Sequence, residues 1–280
     1  MISVIIPAHN EGSVIARTLK AMTEGAGARE LEVIVVCNGC DDDTAAVARR
    51  FSPNVRVIET KIASKSHALN LGDQAACGSP RIYSDADVVI TLEAIRILAR
   101  RLERGDVLVV APTPRFDLAG CSWLVRAWFD IRSYLPSSRE GIGGSGVYAL
   151  SAAGRARFRE FPSVTADDGY VRIQFLETER ETVPSAHSTV FPPRTVKHLI
   201  STKTRSHYGS FELAQRFPEG WKRRGESNNR MLFRLCRKPV LWPKLAVYCM
   251  VMIIAKRRAR IRLRSAIAGW ERDNTSRATA

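Results

Sequence analysis

No phosphate-cradling loop rich in glycine and lysine follows the first apolar segment, where Pro7-Ala8-His9-Asn10-Glu11 stands instead; that argues against a nucleotidyltransferase. The chain has only six cysteines in 280 residues, too scattered for a disulfide scaffold, so a reducing compartment is expected. No targeting segment is visible: Met1-Ile2-Ser3-Val4-Ile5-Ile6 is too short for a signal-peptide core and lacks a basic lead-in, so secretion is not expected. There is no internal repeat and no low-complexity tract. The most apolar stretch, 240–255, is sixteen residues with Pro243 and Lys244 inside it, short of the roughly 20 that span a bilayer core. Acid is scarce in one place. Residues 222–264 hold 14 Lys and Arg against one acid, whereas residues 1–221 hold 27 against 25. The net charge of +15 is therefore a nearly neutral body with one basic arm, suited to phosphates of anionic lipid or nucleic acid.

What is present is ordinary globular composition, 45% hydrophobic and 25% charged, which excludes a disordered or collagen-like chain. Apolar runs at 3–7, 31–37, 55–59, 81–85 and 107–111 predict strands. Helical patterns at 11–22, 42–51, 66–76 and 92–103 alternate with them. That alternation predicts a mostly parallel sheet covered on both faces, with ligands beyond the carboxyl ends of its strands. Past residue 116 the pattern becomes aromatic, with Trp123, Trp128, Phe129 and Tyr134. A glycine loop (141–146), a short strand (147–150) and helices at 151–158 and 169–177 follow, with Asp167-Asp168 directly ahead of the second helix.

The chemistry concentrates at Asp85-Ala86-Asp87, just after a strand. Two carboxylates one residue apart can reach one hard cation, and such a cation can neutralise a diphosphate. Taken alone, the triplet is also what a solvated strand end looks like. Three further segments accompany it. Residues 3–11 (SVIIPAHNE), 35–44 (VVCNGCDDDT) and 65–72 (KSHALNLG) occur in this order before the acidic triplet. Together the four resemble the signature of the family 2 glycosyltransferases, and Asp167-Asp168 resembles the family's later acidic pair.

The resemblance implies the GT-A fold: an α/β domain over residues 1–217 with a mostly parallel sheet, followed by a basic, partly apolar helical extension over 218–280. It implies inverting transfer of a sugar from a nucleotide diphosphate donor to a hydroxyl acceptor. Pro7, Ala8, Glu11, Asn38, Lys65 and Asp85 would bind the donor, Asp87 the metal (Mn²⁺ or Mg²⁺), and Asp168 would be the general base. Arg205, in a segment faintly similar to the one that closes over the diphosphate, would contact the donor, with His207 a weaker candidate. Many members carry Asp where this chain has Cys37; the donor is then UDP- or GDP-linked.

Other features have plainer readings. Gly141, Gly143 and Gly146 match G-x-G-x-x-G without the strand before and helix after, so a close backbone approach to a sugar is expected rather than a dinucleotide. Cys37 and Cys40 have no second pair at zinc spacing and read as structural. Trp123 and Trp128 read as core, with an acceptor wall as the alternative. Asn274-Thr275-Ser276 matches a glycosylation acceptor, irrelevant to a cytosolic chain. The 240–264 stretch predicts a helix lying in a membrane interface with a basic flank; a core helix with a solvated basic face is the alternative. The expected setting is polysaccharide or glycolipid synthesis at the inner face of the cytoplasmic membrane, with a lipid-linked or polysaccharide acceptor and no nucleic acid. A non-catalytic basic adaptor is the rival; it leaves the acids at 85, 87 and 168 without a role.

Overall fold

The structure is a computed structural model that describes residues 1–138, 140–222 and 228–265. The 274–276 acceptor triplet and Arg223 and Arg224 of the basic arm lie outside the described residues.

Four βα units open the chain. They are β1 (Ile2–Ala8) with α1 (Gly12–Thr23), β2 (Leu31–Asn38) with α2 (Thr44–Arg49), β3 (Val55–Thr60) with α3 (Lys65–Ala75), and β4 (Arg81–Ser84) with the short β5 (Val89–Ile90) and α4 (Leu92–Glu103). Then come β6 (Val109–Phe116), α5 (Trp123–Ser133), β7 (Val147–Leu150), α6 (Ala152–Arg155), α7 (Asp167–Gln174) and β8 (Arg180–Val190). Helices α8 (Val196–Arg216), α9 (Pro218–Trp221), α10 (Asn229–Leu235) and α11 (Trp242–Ser265) complete the described chain. All eight strands join one sheet in the order β3-β2-β1-β4-β7-β6-β8-β5. The β1–β2, β2–β3, β1–β4 and β6–β8 pairs are parallel, while β7 is antiparallel to both its neighbours and β5 is antiparallel to β8. The β-branched runs of β1 and β2 are buried on both faces, as helix-covered parallel strands must be.

Two apolar layers sandwich the sheet. On one side Ile15, Leu19, Ile95 and Leu98 of α1 and α4 pack on Val4, Ile6 and Val33. On the other, Ala68 and Leu69 of α3 join Ile5, Tyr83, Tyr148 and the α7 residues Tyr170 and Val171. A third cluster binds the C-terminal helices to the body. Trp128 and Ile131 of α5, Leu199 of α8 and Leu245, Tyr248 and Val251 of α11 are buried together.

The expected helix over 151–158 is cut to Ala152–Arg155. Gly154 lies so close to Leu108 that a Cβ would come within 2.4 Å of its carbonyl oxygen, and Arg155 turns back to Asp73 at 2.6 Å. Asp167 and Asp168 stand inside the first turn of α7, not ahead of it, where the helix dipole favours acids. Strand β8 and helix α8 were not expected from sequence. The β8 sequence RETVPSAHSTV is polar and holds a proline, and it pairs with β6 across a register shift at Pro112/Thr113.

Candidate active site

The carboxyl ends of β1, β2 and β4 lie side by side, with Ala8 level with Cys37 in the register. Their turns are fastened to one another. Glu11 donates its N–H to Thr44 Oγ1 at 2.7 Å, and His9 Nδ1 lies 2.6 Å from the Asn38 carbonyl. Cys40 Sγ is 3.3 Å from the Ala8 carbonyl oxygen. Ala8, Glu11 and Asn38 are buried in this framework. Cys37 and Cys40 are free thiols. Their mutual contact, together with burial, pushes the Cys37 thiol up, and the same contact draws Cys40 down to about 6.

Lys65 opens α3 behind the Ser64 cap, whose side chain accepts from the His67 N–H. Its ammonium sits 2.7 Å from Asp85 and 2.8 Å from Asp167. Although burial opposes the charge, these carboxylates raise its pKa well above the usual lysine value. Tyr148 donates its hydroxyl to the second oxygen of Asp167 at 3.3 Å. Asp168 accepts the Gly169 N–H at 2.6 Å. Burial and the neighbouring Asp167 push its carboxyl up to about 6, against the pull of Lys65.

A glycine loop joins these groups. Asp85 donates its N–H to the Gly146 carbonyl at 2.8 Å. A Cβ on Gly146 would lie 2.5 Å from Val88 and 3.2 Å from Asp85 Oδ2, and the residue has φ +66°. Gly143, at φ +89°, approaches Asp168. Only glycine combines that backbone conformation with that proximity.

One cleft is lined by Pro7, Lys65, Asp85 and Asp168 together with Tyr83, Tyr148, Asp167 and the two glycines. Of the residues expected from sequence, these four meet there. Ala8, Glu11 and Asn38 form the adjoining turns. Asp87 stands half-buried in the turn after β4, with Arg17 Nη2 3.5 Å from its carbonyl oxygen, and outside the cleft lining. Arg205 lies mid-helix in α8, also outside that lining. The reading from sequence passed over Asp167 as the partner of Lys65, and Tyr148; β7 showed only as an apolar run, with nothing to say which way its tyrosine faces.

Among the described residues no three Asp, Glu, His or Cys side chains form a metal cage. Asp85 lines the cleft, and Asp87 follows it by two residues outside the lining. Carboxylates of this kind suit a cation that takes one or two of them from the protein and the rest of its ligands from phosphate and water.

The profile of the family described as Glycosyl transferase family 2 matches residues 3–157, just over half of the chain. The chain belongs to this family. The match covers the βα units that build the cleft and ends ahead of Asp168. Among curated glycosyltransferases, it is 36% identical over 94 residues to the probable glycosyltransferase YdaM of Bacillus subtilis, covering 33% of this chain and 22% of that protein. It is 29% identical over 113 residues to AglD of Haloferax volcanii, covering 38% and 18%. The aligned segments thus span under a quarter of these two relatives' lengths.

Solved structures show the same GT-A fold. The mannosyltransferase PcManGT of Pyrobaculum calidifontis, in complex with GDP-Man and Mn²⁺, superposes with TM-score 0.62 at 20% identity, covering 96% of this chain and 76% of that one. Glucosyl-3-phosphoglycerate synthase of Mycobacterium tuberculosis, with Mn²⁺, UDP and glucosyl-3-phosphoglycerate, superposes with TM-score 0.55 at 19% identity, covering 76% and 79%. The chain thus has the fold expected from its motifs, and its family membership speaks against the nucleotidyltransferase and adaptor readings.

Proposed function

We propose that this glycosyltransferase performs inverting transfer from a UDP- or GDP-linked sugar to a hydroxyl acceptor, with Asp168 as general base. One observation carries the reading: Asp168 lines one cleft with Asp85 and Lys65, where burial raises its pKa to about 6. At neutral pH such a group is mostly ionised yet more basic than an ordinary aspartate, as proton abstraction from a hydroxyl requires. Lys65 bridges Asp85 and Asp167 through its two ion pairs. Pro7, Ala8, Glu11 and Asn38 shape the donor pocket, and Arg205 is retained as a donor contact. Asp87, with Asp85, would hold a divalent cation, Mn²⁺ or Mg²⁺, which would supply charge neutralisation at the leaving diphosphate. Structural relatives with nucleotides and Mn²⁺ or Mg²⁺ support this donor chemistry.

Residues 218–280 are proposed to hold the enzyme at the inner face of the cytoplasmic membrane, in polysaccharide or glycolipid synthesis. Helix α11 with the single turn before it, residues 239–265, is long and apolar enough, by length and composition, to cross a membrane, and only 28% of its most apolar window is buried. Trp242, Ile253 and Ile261 are exposed on it, beside the exposed Lys256, Arg257 and Arg258. That combination supports a surface-lying helix.

The test pairs binding with turnover. UDP or GDP with Mn²⁺ should raise the melting temperature of the wild type and not of Asp87→Asn. Asp168→Asn should keep that binding and lose kcat by about 10²–10⁴-fold. In the wild type, kcat should fall as pH drops through about 6. Full activity in Asp168→Asn would refute the assignment of the base.

A further inference from the structure

Beside the cleft, the packing of α5, α8 and α11 shuts in more positive charge than it can neutralise internally. Arg132 of α5 and Lys203 of α8 are both half-buried, and among the described residues neither makes an ion pair or a hydrogen bond with a carboxylate. Each instead lies over a ring: Arg132 is 4.6 Å from the Phe116 centroid, and Lys203 Nζ is 4.9 Å from that of Trp128. Arg132 Nη1, Trp128 Nε1 and His207 Nε2 are buried with no hydrogen-bond partner among the described residues. Burial draws Lys203 down to about 7, helped by Arg132 and Arg205, and burial draws His207 down to about 4, helped by Lys256 and Lys203. A shut-in cation without a counter-charge is costly and calls for an anion.

The cluster adjoins the catalytic loop. A Cβ on Gly144 would lie 3.3 Å from Arg132 Nη2, one residue along from Gly143, which approaches Asp168. The same loop meets Asp85 at Gly146, so the loop touches the donor carboxylate, the base and the cation cluster in turn. In an in-line displacement the acceptor hydroxyl lies between base and donor sugar, and the rest of the acceptor extends away from the donor. Asp85 and Lys65 mark the donor end of the cleft, and Arg132 adjoins the loop next to the base.

We propose that Arg132 and Lys203 form an acceptor subsite for a phosphate group, so that the acceptor is a phosphorylated alcohol. The inference rests on the glycosyltransfer reading above. An acceptor phosphate would accept hydrogen bonds from Arg132 Nη1 and the Lys203 ammonium and neutralise both. The phosphate could belong to a lipid or to a small soluble ester. Phe116, whose ring lies under Arg132, also lines a groove whose wall is apolar at Leu118, Trp123 and Phe129 and charged at Arg126, Asp130 and Lys244; an apolar tail would lie along the first part.

The experiment is calorimetric titration of the full chain with glycerol 3-phosphate and with its 1-octanoyl ester, both of which keep a free hydroxyl, and separately with UDP and GDP in the presence of Mn²⁺. It compares wild type with Arg132→Met, Lys203→Met and the charge-conserving Lys203→Arg. At least one phosphate ester should bind the wild type, and its binding should weaken at least tenfold in both methionine variants and within threefold of wild type in Lys203→Arg. Nucleotide–Mn²⁺ binding should stay within twofold throughout. The methionine variants should melt no lower than wild type without ligand, since they remove an uncompensated charge. Tighter binding of the 1-octanoyl ester would identify a lipid source, and equal binding a soluble one; either supports the subsite. No ester binding to wild type, or binding unchanged in both methionine variants, would overturn it. So would an equal loss of nucleotide binding, which would assign the cations to the donor. Absence of nucleotide binding by the wild type alone would instead sink the donor-site reading.

Discussion

Asp85 and Asp167 approach one ammonium, that of Lys65, while Asp168 lies beside them with its proton affinity raised by burial and by Asp167. Replacing Lys65 with Met leaves Asp167, only 7% exposed at its side chain, without its counter-charge. Unfolding in urea should then require about 2 kcal/mol less, below the range for a fully buried pair because Lys65 and Asp85 are partly solvated. Lys65 also lowers the Asp168 pKa, so in Lys65→Met the acidic limb of kcat should move above pH 6. Asp168 carries the opposite sign for stability. Its folded pKa lies above the ordinary aspartate value, so its ionisation penalises the native state above about pH 6, and the penalty vanishes below the unfolded pKa near 4. Asp168→Asn should therefore melt a few degrees higher than wild type at pH 7.5, and the gain should fade between pH 6 and 4 in a thermal-melt series. Melting unchanged at pH 7.5 would mean that Asp168 is not strained by its charge.

Among the elements, the first four βα units were legible because their strands are unbroken β-branched runs and their helices carry clear apolar faces. Val14, Ile15, Leu19 and Met22 on α1 are all buried, as their spacing predicts. Strand β8 and helix α8 were not legible. Their buried faces are thin, Val183, Ala186 and Ser188 in one and Leu199, Ile200, Thr204, Gly209 and Leu213 in the other, so tertiary packing decides them. Trp123 and Trp128, read alike from sequence, part company. Trp128 is buried against Phe129 and Tyr248, while Trp123 is exposed at the groove. The glycine loop was legible as a close approach but not as the link between Asp85 and Asp168. Gly146→Ala tests that link. A methyl there meets Val88 at 2.5 Å in a left-handed backbone, so the loop must shift. We expect a drop of at least tenfold in kcat, and weaker nucleotide–Mn²⁺ binding in titration, with the far-ultraviolet circular dichroism spectrum unchanged.

For the molecule as a whole, the uneven charge makes a testable surface. The exposed Lys256, Arg257, Arg258, Arg260 and Arg264 crowd the last turns of α11, next to exposed Ile253 and Ile261. The full chain should co-sediment with phosphatidylglycerol vesicles, and less so as salt is raised. Arg257→Gln with Arg258→Gln should weaken that binding roughly tenfold or more, at about 1 kcal/mol per residue. Equal sedimentation with neutral vesicles would show that charge does not direct it. Helix α11 is also a pillar of the body, since Leu245, Tyr248 and Val251 close the same cluster as Trp128 of α5 and Leu199 of α8. Clipping the chain after residue 217 to obtain a more soluble catalytic fragment should therefore yield an aggregating one, its indole and isoleucine side chains laid bare. A better-behaved enzyme would come from recolouring the outer face of α11 with polar residues while leaving its inner face untouched.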